Sequence, residues 1–370
     1  MGHIRKQMIS IYLNATCNLA CKYCVLATQN NVVLDEDMRI DIDFAKKGIS
    51  DFFRDYAGKA VRYYGAGEPT IAFEQLCELT EYARTLTDDE VFFELQTNGF
   101  FSEEKAKWIK DNMSFVWISC DGMPDIQNKY RPVKNGSKSS TIVERNIKYL
   151  ADNDNNKVGC RATLPIEMID RQMELIDYFI SLGVKYICVE RAFSSLDDDL
   201  YEAEQQSPDY FADKYYEAYL YAKEKGVFYG HLNMANFDEK VHFNCRACFP
   251  YPHLTTDGYV SCCDIAPFGK EIYKDKSQLE LVYGKWNAEC GRIEYDEEKI
   301  SKIRSRNVDV LRKSTCANCE AIDYCAGGCL GQALFETGSI LGKSSWNCAV
   351  TKNLFKRMPV DEGLYPITHS

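Results

Sequence analysis

No stretch of the sequence approaches the 18 or more consecutive apolar residues that a membrane span requires. The amino-terminal MGHIRKQMIS lacks the apolar core of a secretory signal, and Lys6 stands where a myristoylation motif takes Ser or Thr. Insertion, secretion and lipid anchoring are therefore not expected, and a cytoplasmic location is. Clusters of Lys and Arg are missing too, and the formal net charge is −11. A nucleic-acid partner needs such clusters against its phosphates, so a small ligand or a peptide is expected instead. Internal repeats and low-complexity linkers are also missing. Only residues 1–7 precede the first strand-like run, too few for a separate leader-binding domain, so a peptide would be read by the body of the protein or by a partner.

Cysteine is abundant, with seventeen in 370 residues. In a reduced cytoplasm that abundance points to metal rather than to disulfides. Cys77, Cys120, Cys160, Cys188 and Cys290 are scattered, several within apolar runs such as YICVE, and read as buried small hydrophobes. The other twelve form tight groups: Cys17, Cys21 and Cys24; Cys245, Cys248, Cys262 and Cys263; and Cys316, Cys319, Cys325, Cys329 and Cys348. The first group, in NATCNLACKYC, offers three thiolates where a structural zinc or a ferredoxin-type cluster takes four. Three thiolates can hold three irons of a cubic 4Fe-4S cluster and leave the fourth iron open to a small molecule, as catalytic metals keep an open position.

The first two thirds of the chain alternate strand and helix. Apolar, β-rich runs occupy 8–14, 59–65, 91–98, 115–122, 158–165 and 186–193. Helical patterns occupy 41–57, 73–87, 102–112, 141–153, 171–183 and 207–226. Thr141 with Glu144 reads as a capping box, and Gly183 and Gly226 as carboxyl-terminal stops. Six such units imply parallel strands with right-handed crossovers, an α/β fold built as a partial (β/α)6 TIM-like barrel with its chemistry at the strands' carboxyl ends. Residues 1–235 are assigned to this barrel and 236–370 to a small cysteine-rich domain. The acidic stretch Ser194–Tyr210 reads as a solvated lead-in to a helix.

On that scaffold the three-cysteine loop follows the first strand, GAGEP (Gly65–Pro69) the second, QTNG the third and SCDG the fourth, so all four share one rim. A glycine-rich turn followed by a carboxylate lets the backbone approach a ligand while Glu68 accepts hydrogen bonds from a cation such as an amino group. Taken singly, GAGEP and QTNG read equally as turns.

Cys-x3-Cys-x2-Cys with Tyr23 before the last cysteine resembles the signature of the radical S-adenosylmethionine (SAM) enzymes. The resemblance implies a cluster on Cys17, Cys21 and Cys24 whose open iron chelates SAM, and cleavage of SAM to a 5'-deoxyadenosyl radical. It implies an electron donor such as flavodoxin or ferredoxin. Ala66-Gly67-Glu68-Pro69, after Gly65, is similar to the family's Gly-Gly-Glu-Pro motif, whose backbone and carboxylate bind the SAM amino group. Asn98 and Ser119 stand where ribose and carboxylate contacts are implied, and Arg131 is a candidate partner for the SAM carboxylate or, alternatively, a surface ion pair.

The cysteines of the carboxyl-terminal third resemble, in spacing, the SPASM domain that many radical SAM enzymes carry. The resemblance implies two fully ligated auxiliary 4Fe-4S clusters, one on Cys245, Cys248, Cys263 and Cys329 and one on Cys316, Cys319, Cys325 and Cys348, giving three clusters in all; Cys262 and Cys263 are interchangeable on this reading. It implies a radical SAM oxidoreductase that modifies a peptide or protein, by ribosomal-peptide crosslinking or formylglycine-type maturation. The alternative is a dehydrogenase or rearrangement enzyme acting on a small molecule such as an amino sugar. Asp264 in CCDIA stands where formylglycine-forming members carry a catalytic aspartate, and also where an aspartate would merely cap a turn. As a base its carboxylate would be expected to rise toward the operating pH.

Overall fold

The computed structural model describes residues 7–24, 38–152, 157–192, 206–231, 237, 240–270 and 276–358. Most of the acidic stretch at 194–210 lies outside them. One eleven-stranded sheet organises the chain, in the order β11-β10-β9-β8-β1-β2-β3-β4-β5-β6-β7. Strands β1 (Ile9–Tyr12), β2 (Ala60–Tyr64), β3 (Phe92–Thr97), β4 (Phe115–Ser119), β5 (Val158–Leu164) and β6 (Tyr186–Arg191) fall on the six expected runs. All pair in parallel. A seventh parallel strand, β7 (Phe228–His231), pairs with β6. FYGH is too short for its periodicity to announce it.

The helices follow the strands in the expected alternation. Helix α1 (Ile42–Asp55) starts where the Asp41 carboxylate accepts from the amides of Asp43 and Phe44. Its buried stripe Phe44, Ile49, Phe52 and Phe53 recurs at helical spacing. The other barrel helices are α2 (Phe73–Arg84), α3 (Glu103–Asn112), α4 (Pro124–Tyr130), α5 (Ser140–Ala151), α6 (Gln172–Ser181) and α7 (Pro208–Glu224). Gly183 and Gly226 follow α6 and α7 with φ of +85° and +68°, the left-handed conformation that ends a helix. The capping box does not form: α5 begins one residue earlier, at Ser140, whose amide donates to Asn128 Oδ1, and Glu144 accepts from the Tyr178 hydroxyl.

Strands from both sides of position 235 belong to this one sheet. Strand β8 (His253–Leu254) lies parallel to β1, and β9 (Tyr259–Ser261), β10 (Val282–Asn287) and β11 (Arg292–Tyr295) continue antiparallel. Gly48 makes this junction close, because a Cβ there would stand 2.4 Å from Leu254 Cδ1. Outward-facing side chains such as Val116 and Ile118 join the core beneath the helices. Trp117, Phe115, Cys188 and Phe228 pack separately on the concave side and fill the barrel's interior below the site. Of the scattered cysteines, Cys120, Cys160 and Cys188 are buried as expected. Cys290 is exposed at the turn between β10 and β11, and Cys77 is only half-buried on α2. Neither lies in an apolar strand that would draw it inside.

Candidate active site

The carboxyl ends of β1 to β6 open into a cavity of about 580 Å³. Cys17, Cys21 and Cys24 line one side, and each is partly exposed. They lie within electrostatic reach of one another. Burial pushes the Cys21 thiol up to about 12 and raises Cys17, so an electropositive centre is required to make them thiolates. Backbone bonds Ala20 N to Pro132 O (2.8 Å) and Lys22 N to Tyr130 O (3.0 Å) stitch the loop to the segment after α4.

The GAGEP loop packs directly onto that cysteine loop. Gly67 N donates to Asn14 O and Glu68 N to Thr16 O. A Cβ on Gly67 would sit 2.0 Å from Thr16 O, so only glycine allows the approach. Ala66 is accommodated, packing with Ala15 and Phe268 while reaching the cavity wall. Pro69 opens a short 3-10 turn and lies off that wall. Glu68 lines the cavity, yet its carboxylate turns into the protein. Oε1 accepts from Thr70 N (3.0 Å), Thr70 Oγ1 (2.7 Å) and Thr97 Oγ1 (2.6 Å), and Oε2 from Asn98 N (2.7 Å). Burial raises its pKa and these bonds oppose the rise. All four of these contacts are made within the protein.

Glu68→Gln is accordingly expected to lower the stability of the cofactor-free protein by about 1 to 3 kcal/mol, because the new amide N–H2 faces donors where a carboxylate oxygen accepted. Thermal unfolding of apo protein measures it. Unchanged stability with weakened SAM binding would mean that the carboxylate serves the ligand after all.

Asn98, too, is committed to the cysteine loop: Nδ2 donates to Asn18 Oδ1 (2.7 Å) and approaches Cys17 Sγ (3.7 Å). Ser119, Tyr23 and Arg131 line the cavity. Arg131 is no surface ion pair. It is 9% exposed, pairs with buried Asp121 at 3.0 Å and reaches Cys21 Sγ at 3.9 Å. Asp121 stands in SCDG, which marked a strand end but not this anchor.

Asp264 lines the same cavity, with a third of its side chain open. Arg62, 2% exposed on β2, donates Nη2 to Oδ1 (2.5 Å) and Nη1 to Oδ2 (3.1 Å). Tyr12 on β1 donates its hydroxyl to Oδ1 at 3.1 Å, and His253 Nδ1 on β8 lies 3.3 Å from the same oxygen. Burial and Arg62 push His253 down to about 3, so it is neutral there. Burial alone would raise the Asp264 carboxyl, but the charge and hydrogen bonds of Arg62 outweigh it and hold it well below the usual carboxylate range. The expected rise toward the operating pH is thus reversed. Arg62, Tyr12 and His253 carry no local motif, and up to 252 residues separate them from their partner.

The remaining grouped cysteines gather as two sets. Cys263 lies within electrostatic reach of Cys329, Cys262 and Cys245, and Cys248 shares a hydrogen bond with Cys245. Cys262, fully buried, lies within reach of Cys245 and Cys263, and both Cys262 and Cys263 line the cavity. Cys325 lies within reach of Cys348, Cys316 and Cys319 around a smaller cavity. Burial pushes Cys325 up to about 12 and Cys329 to about 11, while amides of Gly327 on the first and of Gln332 and Gly331 on the second donate to sulfur and oppose it. Ala326, Gly327 and Gly328 all have positive φ, which frees the Gly327 amide, while those of Gly331 and Gln332 are free because they stand in the first turn of a helix. Backbone donors on grouped sulfurs fit iron-sulfur clusters.

No protein-family model matches the chain. It is 28% identical over 143 residues to the cysteine-type anaerobic sulfatase-maturating enzyme of Clostridium novyi, covering 37% of this chain and 38% of that protein. It is 27% identical over 146 residues to a serine-type anaerobic sulfatase-maturating enzyme of Bacteroides thetaiotaomicron, covering 37% of this chain and 34% of that protein. The match thus spans little more than a third of these relatives' length. Likeness to the radical SAM cyclopropyl synthase TigE of Paramaledivibacter caminithermalis is lower, 21%, but covers 95% of this chain and 73% of that protein. Among solved structures, anSMEcpe with bound AdoMet shares the fold with a TM-score of 0.67 at 18% identity, covering 95% of this chain and 96% of that one. Streptococcus suis SuiB bound to precursor peptide SuiA gives 0.62 at 15% identity, covering 93% and 76%. In sequence the chain is thus similar to anaerobic sulfatase-maturating enzymes and to a radical SAM cyclopropyl synthase, and it shares its fold with anSMEcpe and SuiB over nearly its whole length.

Proposed function

We propose that the protein is a cytoplasmic radical SAM oxidoreductase that modifies a side chain of a peptide or protein. The observation that carries this reading is the three-cysteine loop on the cavity wall, sharing that cavity with a network around ionised Asp264 that adjoins a second set of cysteines. Cys17, Cys21 and Cys24 would hold the SAM-binding cluster, and the two other sets an auxiliary 4Fe-4S cluster each. Such a cluster with SAM supplies a 5'-deoxyadenosyl radical that takes a hydrogen atom from a substrate carbon. The backbone of Gly65 to Glu68 would receive the SAM amino group, and Arg131 would offer its remaining donors to the SAM carboxylate. Asp264 would accept the proton lost from the atom next to the substrate carbon, and the cluster held by Cys245, Cys248, Cys263 and Cys329 would supply the acceptor for the electron of a two-electron oxidation. Residues 1–235 would thus generate the radical and 236–370 receive the electron. The peptide-bound neighbours support a peptide substrate, because SuiB is held with its precursor peptide and anSMEcpe with the Cp18Cys peptide.

Anaerobically reconstituted protein is expected to hold about twelve irons, four per cubane cluster, and to form 5'-deoxyadenosine from SAM and a reductant. About four irons with zinc in the remainder would remove the auxiliary clusters from the proposal.

A further inference from the structure

Behind the wall of the cavity, Asp121 is wholly buried and joins three elements. Its Oδ1 accepts from Thr163 N at 3.0 Å on β5. Its Oδ2 accepts from the hydroxyl of Tyr23, which belongs to the cysteine loop itself, and faces Arg131 Nε at 3.0 Å. The Arg131 guanidinium lies 5.1 Å from the centre of the Tyr23 ring and directs Nη1 to Cys21 Sγ at 3.9 Å. Cys21, Tyr23 and Arg131 all line the cavity; Asp121 does not. One buried carboxylate therefore holds both the aromatic side chain between two cysteines and the cation that touches one of their sulfurs.

We propose that Asp121 is a positioning residue for the SAM-binding cluster, acting through Tyr23 to fix the loop and through Arg131 to set the pull on the Cys21 sulfur. This rests on the reading that Cys17, Cys21 and Cys24 hold that cluster. An N–H donor and positive charge at a ligating sulfur favour the electron-rich reduced cluster, and a nearby carboxylate disfavours it. Arg131 and Asp121 thus bias the same centre in opposite directions, and the short ion pair between them balances the two.

The test is an EPR-monitored redox titration of the full reconstituted enzyme, following the signal that responds to SAM. At the potential where the wild-type cluster is half reduced, Asp121→Asn is expected to lower the oxidised-to-reduced ratio about tenfold and Arg131→Gln to raise it about tenfold. Each is a shift of 59 mV for one electron, upward and downward respectively. A residue that only braces the loop moves both variants the same way or neither, and either result overturns the proposal. Should Asp121→Asn fail to retain iron, Arg131→Gln decides alone, and a midpoint at or above wild type overturns it. A wild-type enzyme without any SAM-responsive signal instead overturns the underlying cluster assignment.

Discussion

Replacing Cys17, Cys21 and Cys24 together by alanine is expected to abolish 5'-deoxyadenosine formation while leaving about eight of about twelve irons, the content of two cubane clusters. The way the first loop is supported underlies this expectation. The first three cysteines sit on a loop pinned by backbone bonds to Tyr130 and Pro132 and by the Tyr23 hydroxyl on Asp121, none of which involves a thiol. Their loss removes ligands without removing the loop's supports. Of the other sets, one gathers around Cys245 and Cys263 on the same cavity and one around a smaller cavity at Cys316 and Cys348. Iron analysis with chromatographic detection of 5'-deoxyadenosine reads both arms. Wild-type SAM cleavage in the triple variant would refute radical SAM chemistry here, and loss of all iron would mean that the three sites assemble as one unit.

The barrel was legible because each unit carries its own signals: a β-rich run, a helical stripe, a glycine with positive φ at the end. Where a signal had two readings, tertiary contacts chose. Thr141 and Glu144 have capping-box spacing, but Ser140 already has Asn128 as a partner and Tyr178 claims Glu144. Cysteine spacing exposed the grouping of the ligands, because a metal cluster needs its ligands locally dense. The strands β8 to β11 were not legible, since β8 has two residues and its pairing with β1 joins positions more than 240 apart. The same distance hides the Arg62, Tyr12 and His253 network, which exists only once β8 docks beside β1. Glu68 shows the converse case: the motif was visible, and the direction of its carboxylate was decided by Thr70, Thr97 and the Asn98 amide.

Asp264→Asn should lower the ratio of modified substrate to 5'-deoxyadenosine by about 10² to 10⁴ under single-turnover conditions, the usual worth of a positioned base. SAM cleavage should continue, since the hydrogen bonds of Asp264 go to Arg62 and Tyr12 rather than to the first cysteine loop. The substitution has a second effect that must be separated. Asp264 is the carboxylate partner of Arg62, and an asparagine leaves a buried guanidinium uncompensated, at a cost on the order of 3 to 5 kcal/mol. Adding Arg62→Gln to Asp264→Asn removes that charge, so the double variant is expected to regain stability without regaining product, a coupling that a double-mutant cycle isolates. The pH dependence has a definite sign. A carboxyl held below its unfolded value of about 3.9 stabilises the fold above that value and loses the contribution only as pH falls toward the folded one. Across roughly pH 6 to 8 Asp264 is therefore ionised and able to accept a proton, and the product ratio is expected to stay flat. An acid limb near neutrality in the wild type that disappears in Asp264→Glu would show that substrate breaks the pair with Arg62 before proton transfer. A wild-type product ratio in Asp264→Asn would leave the residue as the clamp that docks β8 against β1 and β2, with the base to be sought elsewhere on the same wall.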